Sequence, residues 1–233
     1  MTIDALSGPY LPTAKGVAPT AAVVILHGYG ANGDDLISLA PFFAQTLPHV
    51  IFYAPNAPHP WEGGGFGGRQ WFGLPNYDPM AMQRDPGLRA KRFEAMTKGA
   101  AAASVPLNKF IDQVLAEHEL EPSRVALLGF SQGTMMSLYA GLRRDKQLAA
   151  ILGYSGALVG ADEIAAEIKT KPPVCLVHGA ADPVVPAQCM TDIDQALTPL
   201  GVSIEKHLIP GLQHGIDPEC AKIGAAFLKK FLG

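Results

Sequence analysis

The sequence predicts an α/β fold, a mostly parallel central sheet with helices on both faces. Three observations carry this expectation. Short apolar, β-branched-rich runs recur along the chain, stretches with apolar residues three or four apart separate them, and one run turns through Gly-x-Ser-x-Gly into a helical pattern. With 233 residues, 48% hydrophobic and 17% charged, the composition is that of a packed globular protein and excludes disorder, collagen and coiled coil. A single domain over 1–233 is expected.

Ala21–Leu26 is a continuous apolar run closed by His27 and Gly28, as a strand buried on both faces requires. Leu36, Leu39, Ala40, Phe43 and Leu47 then stand at helical spacing, predicting a helix over 34–47 that Pro48 stops. Val50–Ala54 is the next strand. Further strands are expected at Val125–Gly129, Ala150–Tyr154, Val174–His178 and Ser203–Ile209, with helices at 105–119, 133–143, 162–169, 187–200 and 218–231. Residues 55–103 break this rhythm and carry no strand pattern. Their two tryptophans and many glycines predict a substrate-lining insertion rather than a solvated excursion.

Gly129-Phe130-Ser131-Gln132-Gly133 follows a strand and opens a helix. A serine on so sharp a turn needs neighbours without β-carbons two positions to each side, and Gly129 and Gly133 meet that need. Ser131 is the candidate nucleophile, and the Gln132 amide, at a helix start, a candidate oxyanion donor. A serine needs a base and an orienting acid. Asp182 lies in the turn after the Val174–His178 strand, and His214 in the loop before the last helix, which gives the chain order nucleophile, acid, base. His178 and His207 fall in strands and read as structural, His49, His59 and His118 as loop or surface residues, and Cys220 as core.

His27-Gly28-Tyr29-Gly30-Ala31-Asn32-Gly33 matches a dinucleotide fingerprint after a strand, but IFYAPNAP at the second strand holds no acidic residue for a ribose, so NAD is not expected. The same loop suits an oxyanion segment with the Tyr29 amide as donor. No cofactor and no metal are expected.

With 18 Lys plus Arg against 21 Asp plus Glu, the net charge of −3 has no basic run, so nucleic acid is not an expected partner. Three widely spaced cysteines suit a reducing compartment better than a disulfide framework. The first sixteen residues lack a secretory pattern and no apolar run approaches the roughly 20 residues of a membrane span, so a cytoplasmic protein is expected. Exposed aromatics of the insertion could serve a homodimer face or a pocket mouth, and the sequence leaves both open.

In order along the chain, VVILHGYGANGDDL, YAPNAP, RQWF, LLGFSQGTMMSLYAG, VHGAADPVVP and GLQHGI resemble the phospholipase/carboxylesterase family of α/β-hydrolases, which includes acyl-protein thioesterases and small bacterial serine esterases. The resemblance spans nearly the whole chain. It implies an α/β-hydrolase fold and hydrolysis of a small-molecule ester by Ser131, Asp182 and His214, with Tyr29 and Gln132 as oxyanion donors. It also implies Trp71 as a substrate-pocket residue, with Trp61, Phe66, Phe72 and Leu74 as further candidates. Where the family has leucine in the oxyanion loop, this chain has Tyr29. Short- to medium-chain carboxylesters are the expected substrates, long-chain lysophospholipid or acyl-protein thioester hydrolysis the first alternative, and a non-catalytic binding protein of the same fold the second.

Overall fold

The computed structural model describes residues 6–64, 67–74 and 78–233. Among these residues seven strands form the main sheet. A two-residue edge strand, β1 (Tyr10–Leu11), is followed by β2 (Ala21–Leu26), wholly buried as its sequence requires. After β2 the chain forms two short helices, α1 (Gly33–Ile37) and α2 (Ala40–Ala44), where the periodicity predicts one. Pro41, inside the first turn of α2, is the reason: it lacks the N–H that a continuous helix would need there. The N-cap of α1 is reciprocal, Asn32 accepting from the Asp35 amide and Asp35 from that of Asn32.

β3 (Val50–Tyr53) pairs parallel with β2 and antiparallel with β1. The segment expected to be irregular is largely ordered. It contains an antiparallel ribbon of β4 (His59–Pro60) and β5 (Arg69–Gln70), then α3 (Pro79–Arg84), α4 (Pro86–Ala95) and the start of α5 (Thr97–Glu117). Asp78 and Asp85 each cap a helix with proline in its first turn. The apolar spacing places the start of this helix at Val105. The alanines before it extend the helix back to Thr97, and Pro106 becomes an interior residue.

The rest alternates as expected: β6 (Val125–Phe130), α6 (Gln132–Leu142), β7 (Ala150–Tyr154), α7 (Ile164–Glu167), β8 (Val174–Gly179), α8 (Gln188–Leu197), β9 (Ile204–Ile209) and α9 (Pro218–Leu232). The sheet order is β1-β3-β2-β6-β7-β8-β9, parallel from β3 to β9. Alternate residues of β2 feed different cores. Ala22, Val24 and Leu26 pack with Phe93 of α4, Leu107 and Ile111 of α5 and Met136 of α6, while Ala21, Val23 and Ile25 pack with Phe43 of α2 and Phe227 and Leu228 of α9.

Because β3 lies on one side of β2 and β6 on the other, chain direction across the sheet reverses between β2 and β6. In open parallel sheets a ligand crevice forms at the carboxyl ends of the strands at such a reversal. The 27–33 loop and the turn at Ser131 both leave the sheet there.

Candidate active site

Ser131 lies between β6 and α6 with φ +55° and ψ −116°, a conformation L-residues rarely adopt. The flanking glycines make that turn sterically feasible. A β-carbon on Gly133 would stand 1.8 Å from the Leu26 carbonyl oxygen, and one on Gly129 would stand 2.4 Å from the Gly133 carbonyl. We expect Gly133→Ala to lower stability by about 3 kcal/mol or more, because backbone and not a flexible side chain must yield. A urea midpoint close to that of the parent would refute this.

Gly179, at the end of β8, passes against the 212–213 backbone, where its β-carbon would lie 2.3 Å from the Leu212 carbonyl oxygen. That close approach sets the loop bearing His214 beside the turn bearing Asp182. His214 Nδ1 donates to Asp182 Oδ2 at 2.7 Å. Asp182 Oδ1 accepts from the amides of Val184 at 2.8 Å and Val185 at 2.9 Å, and the carboxylate is fully buried. Burial alone would raise its pKa, but hydrogen bonds from His178, His214 and the Val185 amide hold it well below the usual carboxylate range. His178, set aside as structural from sequence, has its Nε2 3.0 Å from the Val185 carbonyl and 3.4 Å from Asp182 Oδ2. Since a carbonyl only accepts, that nitrogen carries the proton and faces the carboxylate as well.

A cavity of about 330 Å³ opens over this pair. Ser131, His214, Tyr29, Leu74, Phe130 and Met135 are among the residues that line it, together with Val184 and Val185. The Phe130 ring lies 4.8 Å from that of His214, centroid to centroid. The 27–33 loop runs directly beside Ser131: a β-carbon on Gly28 would lie 3.4 Å from the Ser131 Cβ. Gln132 is the first residue of α6, so its amide has no intrahelical acceptor.

The ribbon of β4 and β5 clamps this loop. The Gly30 amide donates to the Arg69 carbonyl at 2.9 Å and the Arg69 amide to the Ala31 carbonyl at 2.8 Å, so the loop adds to the ribbon like a further strand. Trp61 packs over Gly30 and meets the Tyr29 ring edge-on. Trp71 is not among the residues lining the cavity. It is fully buried, its indole donates to the His27 carbonyl at 3.0 Å, and its amide donates to Gln132 Oε1 at 2.9 Å. Phe72 is buried too, and its carbonyl accepts from Gln132 Nε2 at 2.7 Å. The Gln132 side chain thus ties the serine turn to the 71–72 segment, a role its place in the motif does not announce. Of the aromatic and aliphatic candidates of the insertion, Leu74 lines the cavity, while Phe66 lies outside the described residues.

His27 itself is buried. The Ala57 amide donates to its Nε2 at 2.9 Å, which leaves Nδ1 protonated and donating to the Gly28 carbonyl at 2.8 Å. Burial lowers its pKa, in keeping with this neutral form. The Gly28 carbonyl belongs to the same peptide as the Tyr29 amide, so the bond orients the candidate donor.

The three cysteines are free and buried, and burial raises the thiols of Cys175 and Cys189 to about 12 and that of Cys220 to about 11. None is a ready nucleophile. Cys175, Glu205 and His207, on β8 and β9, hold donor atoms within 4.8 Å of one another and could hold a metal ion, but His207 already bonds Glu205 at 2.7 Å above a core thiol. Among the described residues no helix is long and apolar enough to cross a membrane.

The profile of one family, described as Phospholipase/Carboxylesterase, matches residues 13–232. An acyl-protein thioesterase 1 of Gibberella zeae is 30% identical over 226 residues, covering 91% of each chain. That of Mycosarcoma maydis is 30% identical over 230 residues, covering 94% of each. Among solved structures, esterase PE8 superposes with a TM-score of 0.88 at 39% identity over 98% of this chain and 100% of its own.

Proposed function

The chain belongs to the phospholipase/carboxylesterase family and is an enzyme of the serine hydrolase type, and we propose that it hydrolyses short- to medium-chain carboxylic esters through an acyl-enzyme on Ser131. One observation carries this reading: the Asp182–His214 hydrogen bond of 2.7 Å stands at the same apolar-walled cavity as Ser131.

In the proposed reaction His214 Nδ1 is engaged by Asp182, so Nε2 is the nitrogen that takes the Ser131 proton as Oγ attacks the carbonyl carbon. The resulting oxyanion is held by the amides of Tyr29 and Gln132. His214 returns the proton to the departing alcohol, the acyl group remains on Ser131, and a water activated by His214 then releases the acid. Asp182 keeps the imidazole in the required tautomer. The insertion at about 55–103 supports the loop that bears one donor and lends Leu74 to the cavity wall.

Acyl-protein thioester hydrolysis is a second reading, favoured by relatives of that name that align over nearly the full length of the chain. Hydrolysis of p-nitrophenyl esters from acetate to palmitate, beside a palmitoyl thioester and a lysophospholipid, separates the two readings. A Ser131-dependent optimum at acetate to octanoate is expected. A higher kcat/KM on the palmitoyl thioester would move the assignment to the second reading, and no Ser131-dependent turnover of any substrate would overturn both.

A further inference from the structure

Tyr29 and Leu74 form part of the cavity wall beside Ser131 from separate segments, and a single carboxylate oxygen joins them. Glu62 Oε1 accepts from the Tyr29 hydroxyl at 2.5 Å and from the Leu74 amide at 3.3 Å. Glu62 is itself held, because its amide donates to Gln70 Oε1 at 2.9 Å in the ribbon that clamps the oxyanion loop. The Trp61 ring meets that of Tyr29 edge to face at 6.1 Å between centroids. Hydrogen bonds to a charged acceptor are the stronger kind, and two on one oxygen leave neither donor free to turn without losing its partner.

Tyr29 supplies the hydroxyl of this strap. A leucine at this position would have no hydroxyl to reach Glu62, so the strap depends on this side chain. We propose that Glu62 is a specificity-determining residue. By fixing Tyr29 and Leu74 as one wall of the cavity, it limits the length of the acyl chain that the site accepts. This rests on the esterase reading above. Glu62 is not among the residues lining the cavity, so it acts through the two residues it holds.

The test is the ratio of kcat/KM for p-nitrophenyl dodecanoate to that for the butyrate, in the parent protein, Glu62→Ala, Glu62→Gln and Tyr29→Leu. In each, labelling of Ser131 by a fluorophosphonate counts the folded, competent sites. Loss of the strap is expected to raise the ratio by about tenfold or more, the discrimination that one or two methylenes produce in an apolar pocket. Glu62→Gln keeps an acceptor oxygen and should rise less than Glu62→Ala. An unchanged ratio in Glu62→Ala and Tyr29→Leu, with Ser131 labelled normally, would overturn this inference and leave the esterase reading standing. Ester hydrolysis that does not depend on Ser131 in the parent would overturn both.

Discussion

Replacing Ser131 by alanine is expected to lower kcat by at least about a thousandfold, since removal of a triad member leaves only what binding and the oxyanion donors supply. Stability should hardly change, because among the described residues no side-chain hydrogen bond of Ser131 holds the fold, and its β-carbon and φ of +55° are kept. Glycine at the same position gives a sharper result. It would be as inactive as alanine, yet more stable than the parent by about 1 kcal/mol, because it adopts positive φ without steric cost. Steady-state hydrolysis of p-nitrophenyl butyrate and urea unfolding of both variants check the pair. Near-normal turnover in Ser131→Ala would sink the assignment of the nucleophile, and a glycine variant less stable than alanine would sink the account of the strained turn.

Asp182→Asn should also be severe, with a loss in kcat of about 10⁴ where an amide replaces the orienting carboxylate. The asparagine oxygen can still accept from the Val184 and Val185 amides, as Asp182 Oδ1 does. Its NH2 would then meet His214 Nδ1, which now carries a proton toward Oδ2, and would favour the tautomer that cannot take the serine proton. A separate signature lies in stability. The Asp182 carboxyl is held below its ordinary range in the fold, so its ionised form stabilises the protein in full above about pH 4, the ordinary aspartate value, and that contribution is lost as pH falls below it. Urea midpoints measured downward from pH 7 should therefore fall less steeply for Asp182→Asn than for the parent. Parallel acid limbs would show that the carboxylate gains nothing from its surroundings.

The strand and helix order was legible because each signal is local. A buried parallel strand such as Ala21–Leu26 must be apolar throughout, and a serine turn such as 129–133 must have glycines where a β-carbon would strike backbone. The errors were local too. Pro41 broke an otherwise good helical period, and the helix expected from Val105 begins at Thr97 because the alanines before it continue the helix. Short elements such as β4 and β5, two residues each, are below the length at which alternation can be seen.

The roles of the insertion residues were not legible for a different reason. Trp71 looks like a pocket aromatic, yet it lies against the 27–33 loop with its indole on the His27 carbonyl. Gln132 looks like a spacer in a motif, yet both ends of its amide hold the 71–72 segment. Glu62 carried no signal at all, because its partner Tyr29 is 33 positions away. The sequence by itself determined the succession of the six longer strands along the chain, the serine turn and the order of Ser131, Asp182 and His214, since these follow from constraints acting within a few residues. Only the tertiary structure decided that His178 faces Asp182, that Trp71 lies outside the cavity lining, and that Glu62 joins Tyr29 to Leu74 in the cavity wall. Those pairings depend on how the ribbon and loops fold over the end of the sheet, and chain spacing holds no record of that geometry.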